Sequence, residues 1–438
     1  MANILTRLNR ILRTDQCITD DEGTRVYSND AYTTAQQRPS MVVLPETTAD
    51  VQAIVLACAE TNTPLVSRGA GTGLSGGATP SEGAVLLVTS RMRAIEPRRG
   101  LSMWVQPGVR NLAISEAVAA DGLFFAPDPS SQIASTIGGN VAENAGGIHC
   151  CKYGVTINNV SGLEIVLSDG SVHQFGGDAL DSEGLDLLAA VHASEGLLGI
   201  VTRVCVRLRP TPPTQRLITA GFPDLYAASD AVARLFQAGL MPAAIEVVDN
   251  NLITAVNSLL NTGFPADAGG LVLAEFDGVA VEVDEAMAQA EAVFRAGATS
   301  IEISRDEAHR LALWKARKAA FPAMAMQSPD ILVLDATVPR QALAPALMAV
   351  RKAGERSGFR VWHAYHAGDG NLHPSVLFDA SAGETEAAHA LGAEVLKICL
   401  DHGGTITGEH GIGIEKIDYM CLQFSAVEVT QFHQLKGA

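Results

Sequence analysis

The sequence predicts an α+β protein of two domains, and three observations carry that prediction. Apolar runs of strand length alternate with helical patterns, two clusters of small residues interrupt the first half, and the segment RPTPPT at 209–214 breaks the chain in the middle. The expected division is a helical segment at 1–38, a first domain at 39–211 and a second at 215–438. A chain of 438 residues, 47% hydrophobic and 18% charged, is long and apolar enough to bury two or three cores. Its formal net charge of -17 argues against nucleic acid or an anionic membrane as the main partner. Seven cysteines, with no CxxC and one adjacent pair at Cys150 and Cys151, form no disulfide framework and suit a reducing cytoplasm.

At the N-terminus Leu5, Leu8, Ile11 and Leu12 fall at helical spacing, while Arg7, Arg10 and Arg13 interrupt any signal-peptide core, so an amphipathic helix is expected. No apolar run is long enough to span a bilayer, which leaves only peripheral membrane association through a partner. Met41 to Leu44 reads as a strand. Thr47 or Thr48 caps a helix with Val51, Ile54, Val55 and Cys58 on one face, and Leu65 to Ser67 returns as a strand. The stretch PLVSRGAGTGLSGG at 64–77 follows, and its glycines let successive N–H groups surround a phosphate. Gly71, Gly73 and Gly76 match GxGxxG, but that fingerprint requires a helix after the loop. Residues 78–83 lead directly into the strand Ala84 to Val88, so a phosphate loop between two strands is expected in place of a Rossmann turn.

Met103 to Gln106 reads as the next strand, stopped by Pro107 and Gly108, with a helix near Asn111 to Ala120. The second small-residue cluster, PDPSSQIASTIGGNVAENAGG at 127–147, again permits close backbone approach. Two such loops in one domain suggest a long ligand carrying a pyrophosphate. Leu163 to Leu167 and Val172 to Phe175 form a hairpin turned at Asp169 and Gly170. Val204, Val206 and Leu208 alternate with Arg203, Arg207 and Arg209 as a half-exposed strand, and RPTPPT then breaks helix and ladder alike.

RGAGTGLSGG, the 127–147 cluster, KYG at 152–154 and SEGLLGIVT together resemble the FAD-binding domain of the vanillyl-alcohol-oxidase (PCMH) type flavoproteins. The resemblance implies two α/β subdomains with FAD between them and its pyrophosphate on the first loop. It implies flavin contacts at Arg68, Gly69, Ala70, Gly71, Thr72, Gly73, Leu74, Ser75, Gly76, Gly77, Pro127, Ser131, Thr136, Gly138, Asn140, Gly147, Tyr153 and Ile200. The first loop has no histidine of the kind that tethers flavin in some members, so noncovalent FAD is implied.

In the second half, apolar runs at Leu271 to Ala274 and Ile331 to Leu334 alternate with helical patterns at 283–296 and 340–355, as in an α+β domain with helices on one face of a sheet. HAYHAGDGNLH at 363–373 holds three of the chain's 11 histidines. If Asp369 and Gly370 make a two-residue hairpin loop, His366 stands opposite His373 with Cβ atoms about 5 Å apart, close enough to share a metal. His363 would point to the other face as a structural histidine. TGEHGIG at 407–413 offers Glu409 as a third ligand beside His410, and two histidines with a carboxylate suit Zn²⁺, Mn²⁺ or Fe²⁺.

HAGDGNLHP and GGTITGEHGIGIEK resemble the C-terminal domain of the FAD-linked 2-hydroxy-acid dehydrogenases, and SPDILVLDATVPR, FDASAGETEAAHALG and IDYMCLQFS most resemble the flavin-bearing subunit of the bacterial glycolate oxidase group. The resemblance implies an α+β substrate (cap) domain in which His366, His373 and Glu409 hold a divalent metal, His410 is the base and Arg317 grips the substrate carboxylate. Dicarboxylate-specific relatives carry a lysine where Ile331 to Leu334 is wholly apolar, which points to a small 2-hydroxy acid such as glycolate or D-lactate. The chain ends at QLKGA without the FDPDGLLNPGK-like tail of relatives, which puts FAD retention in question. With no haem or iron–sulfur motif here, the group implies a second flavin-type subunit and an iron–sulfur subunit as partners. On the residues alone, a flavin-free metal-dependent hydrolase and a non-catalytic subunit of an oxidase complex stay open.

Overall fold

The computed structural model describes residues 4–179, 184–260 and 262–437. The expected N-terminal helix spans Ile4–Ile11 and buries Leu8 against a small sheet ordered Cys17–Ile18, Met41–Val43, Val85–Val88, Leu65–Arg68. Helix Thr48–Thr61 is capped by Thr47, whose hydroxyl accepts the Asp50 N–H, and Val51, Ile54, Val55 and Cys58 are buried. Strands Leu65–Arg68 and Val85–Val88 are parallel neighbours, and a parallel pair needs a crossover of a dozen or more residues. Residues 69–84 make that crossover without a helix. The glycine-rich loop therefore crosses from one end of the sheet to the other.

A second, antiparallel sheet is ordered Ser102–Val105, Ile200–Arg207, Val160–Val166, Val172–Gly176. Its last two strands meet at the expected turn, with Gly170 at φ +80°. The RPTPPT segment departs from expectation, because Arg209–Pro210 pairs with Leu123–Phe124 in a two-residue ladder. So short a ribbon is all edge, where the missing proline N–H costs no ladder bond.

The second domain is an eight-stranded antiparallel sheet. Its order is Ser300–Ile303, Thr214–Phe222, Gly270–Gly278, Ala244–Asp249, Arg360–His366, Asn371–Phe378, Asp330–Val333, with Ala336–Thr337 also pairing on Asn371–Phe378. Helices cover both faces, not the one face expected. Leu225–Gln237, Ala280–Arg295 and Leu343–Ser357 pack on one side, and Asn250–Leu260, Glu307–Lys318 and Ala320–Ala325 on the other. The cause lies in the central strands, since every residue from Gly270 to Phe276 is buried and each face needs cover. Among the described residues no helix is long and apolar enough to cross a membrane.

The domains meet through buried polar contacts. His149 Nδ1 lies 2.9 Å from Asp128 Oδ2 in its own domain, and Nε2 lies 3.2 Å from Glu275 Oε1 in the other. Burial by itself lowers the His149 pKa, but the two carboxylates outweigh it and raise the value to about 10. A histidine whose folded pKa exceeds its unfolded value contributes stability that is complete below about pH 6.5 and is lost as pH rises toward 10. The melting temperature is therefore expected to fall over that interval, and His149→Gln should flatten the dependence.

Candidate active site

One cleft of about 310 Å³ collects residues from both domains. Arg68, Gly69, Ala70, Gly71, Thr72, Gly73, Leu74 and Gly77 line it from the first loop, and Ser131, Thr136, Gly138, Asn140 and Ile200 from further along the first domain. Arg317, His366, His373, Glu409 and His410 complete it from the second domain. The two small-residue loops touch, since a Cβ at Gly69 would stand 2.2 Å from Thr136 Oγ1. The cleft thus joins glycine-rich backbone from one domain to titratable side chains from the other.

Five expected contact residues stand off the cleft wall, each held elsewhere. The Ser75 hydroxyl donates to the His410 carbonyl at 2.8 Å, and Ser75 O accepts the Ile414 N–H at 3.0 Å. Gly76 and Gly147 serve packing, because a Cβ would meet Ile414 at the first and the Asp128 carbonyl at the second, each at 2.5 Å. The Pro127 carbonyl accepts from Asn111 Nδ2 at 2.8 Å, and the Tyr153 hydroxyl bonds Asp277 Oδ2 at 2.5 Å across the domain boundary.

The histidine hairpin has a different register from the one expected. His366 pairs with Asn371 and Ala364 with His373, around a loop of residues 367–370 whose Gly370 N–H returns to His366 O at 3.2 Å. The shift is two residues, which preserves the face each side chain occupies. His366 and His373 therefore still meet diagonally, with ring centroids 5.0 Å apart. His363 points to the opposite face as expected, buried, and burial lowers its pKa to about 4.

Both histidines present the same atom. Nδ1 of His366 lies 2.5 Å from Glu246 Oε1 and Nδ1 of His373 3.3 Å from the Leu334 carbonyl, which turns each Nε2 toward Glu409. The two Nε2 atoms are each 3.3 Å from Glu409 Oε1. Ligand atoms about 2.1 Å from a tetrahedral metal stand roughly 3.4 Å apart, which matches each of these two separations. Asp335, His373, Glu409 and His410 also bring ligand atoms within 4.8 Å of one another. Of the two Asp335 oxygens, Oδ1 takes the Glu409 N–H at 3.2 Å and Oδ2 is the crowded one. It accepts from Thr407 Oγ1 at 2.7 Å and from the N–H groups of Gly408, Glu409 and His410 at 3.0, 3.1 and 2.8 Å. His366, expected as a ligand, is not in that group, which holds Asp335 and His410 in its place.

His410 stacks on His373 with centroids 5.2 Å apart and its Nδ1 4.0 Å from Asp335 Oδ2. Burial lowers its pKa to about 4 against the pull of Asp335, so the ring is neutral at physiological pH and able to accept a proton. Arg317, from helix Glu307–Lys318, gives Nε and Nη2 to Glu246 Oε2 at 2.9 and 2.6 Å. Those two bonds use the side-on edge of the guanidinium.

Sequence reasoning missed three buried acids, Glu246, Glu275 and Asp335, all fully enclosed. Glu275 accepts from Arg310 Nη1 at 2.6 Å and Trp314 Nε1 at 2.5 Å besides contacting His149. Arg310, Trp314 and Arg317 are spaced i, i+4, i+7, so one helix face docks on two acids from adjacent strands. The signal was available: an acid within an apolar strand, as in AIEVV or LVLAEF, is stable only when paired.

A domain of two small sheets with a glycine-lined cleft, closed by a second sheet domain, is the fold of the vanillyl-alcohol-oxidase/PCMH type. The chain belongs to the FAD-linked oxidases. The family of FAD linked oxidases, C-terminal domain, matches residues 211–438, and the FAD binding domain family matches residues 39–176. The chain is 46% identical over 422 residues to the glycolate oxidase subunit GlcD of Escherichia coli (strain K12), covering 95% of this chain and 85% of that protein. It is 31% identical over 405 residues to a D-lactate dehydrogenase of Anaerostipes hadrus, covering 90% and 85%. The crystal structure of p-cresol methylhydroxylase with substrate bound shares the fold, with TM-score 0.83 at 16% identity over 99% of this chain and 93% of that one.

Proposed function

We propose that this FAD-linked oxidoreductase oxidises a small 2-hydroxy acid, glycolate or D-lactate, to the 2-oxo acid. The observation that carries the reading is the convergence of Arg317, His366, His373, Glu409 and His410 on the cleft that the glycine-rich loops line. Those loops would hold FAD noncovalently, and it would supply the hydride acceptor. His366, His373 and Glu409 would hold a divalent metal, which would supply Lewis acidity. The end-on edge of Arg317 binds the substrate carboxylate, a charge-assisted contact that orients C2. His410 accepts the hydroxyl proton at Nε2, the nitrogen opposite the Nδ1 that faces Asp335. Ala320, Met324, Val333 and Ala364 line the same cleft and give it an apolar side suited to a hydrogen or methyl at C2.

Anaerobic addition of glycolate or D-lactate to the FAD-loaded protein is expected to bleach the flavin absorption. D-2-hydroxyglutarate should bleach it far more slowly, because Val333 and its neighbours offer no cation for a second carboxylate. Bound flavin that no 2-hydroxy acid reduces would replace this reading with a non-catalytic subunit role, and a protein that binds no flavin would return it to the hydrolase. GlcD is named a subunit of its oxidase. That likeness supports the proposal that this chain works in an oxidase assembly, with a flavin-type and an iron–sulfur subunit to take the electrons onward.

A further inference from the structure

Glu246 is buried at 0% exposure and serves two residues at once. Strand register sets it directly beside His366, and Oε1 takes the His366 Nδ1–H at 2.5 Å. Oε2 takes Nε and Nη2 of Arg317 at 2.9 and 2.6 Å. Its strand neighbours Ile245, Val247 and Val248 are buried and apolar. A buried ion pair is weak evidence of stabilisation, because desolvation offsets much of the attraction and a well-packed apolar side chain often serves as well. Packing alone therefore gives no reason for an acid here.

We propose that Glu246 is a positioning residue that holds the Nδ1 proton of His366 and so turns Nε2 to the cleft, while its second oxygen sets the plane of Arg317. The inference rests on the metal-assisted reading above and deepens it. One carboxylate joins the metal ligand to the carboxylate-binding arginine, so neither can turn without moving the other. A ligating histidine needs its far nitrogen held by an acceptor, and loss of that acceptor typically weakens metal binding about 10–100-fold.

Glu246→Gln tests the assignment because the amide has one accepting and one donating arm. Arg317 has only donors, so the amide oxygen turns to Arg317 and the amide NH₂ faces His366 Nδ1. That nitrogen must then give up its proton, and Nε2 becomes the protonated, non-ligating atom. Nitrogen-15 NMR of histidine-labelled, FAD-loaded protein is expected to show His366 protonated at Nδ1 in the wild type and unprotonated there in Glu246→Gln, the resonance being assigned by its absence in His366→Gln. Zinc affinity, read by competition with a chromophoric chelator, should fall about 10–100-fold in Glu246→Gln with FAD content unchanged. An unprotonated Nδ1 in the wild type overturns the proposal, as does a Glu246→Gln protein that binds zinc like the wild type. The wild-type measurement needs no variant to fold and no metal to bind. A protein without zinc affinity would thus refute the metal in the preceding reading, while the Nδ1 proton still decides the role of Glu246.

Discussion

His410→Ala is expected to slow flavin reduction by glycolate or D-lactate by about 10²–10⁴-fold while FAD and metal content stay at wild-type levels. The expectation follows from the ring's position and state. His410 lines the cleft, lies against His373 and is neutral because burial lowers its pKa. The loss should appear in the rate of flavin reduction under anaerobic stopped flow, since carboxylate binding rests on Arg317. The backbone of residue 410 is held independently of its ring, by Asp335 at its N–H and by Ser75 at its carbonyl, so truncation leaves the loop in place. A variant that reduces its flavin at the normal rate would remove the base from the mechanism.

His366→Ala is expected to lose the metal and at least about 10³-fold in flavin reduction, equivalent to about 4 kcal/mol of transition-state stabilisation. Only two of the three converging ligand atoms would remain, Nε2 of His373 and the carboxylate of Glu409, and Glu246 would keep only Arg317 as a partner. Elemental analysis beside the flavin spectrum separates the outcomes. A metal-free variant with full activity sinks the metal role, and a variant that loses FAD as well reports a wider collapse of the cleft.

The local patterns were legible because they depend on spacing alone. Periodicity marked the Thr48–Thr61 helix, glycine density marked the crossover loop, and the histidine parity survived a wrong loop length because a two-residue shift keeps side chains on the same face. What could not be read depends on which strands become neighbours. Glu246 and Glu275 lie on adjacent strands, and Glu246 lies beside His366, through pairings between segments far apart in the chain. The second helical layer is of the same kind. The strand LVLAEF is apolar at almost every position, which announces two covered faces, but nothing local says which helices cover them.

The loop at 407–413 has one further consequence. Ser75 holds its His410 carbonyl, the Gly146 N–H holds Glu409 Oε2 at 3.0 Å, and Glu195 takes the N–H groups of Ile412 and Gly413 at 2.8 and 2.7 Å. Every one of these fasteners comes from the other domain, although the loop belongs to the second by sequence. The heritable module is therefore the seam itself. A recombinant that joins the cofactor half of one relative to the substrate half of another keeps these fasteners when Ser75, Gly146 and Glu195 travel with it.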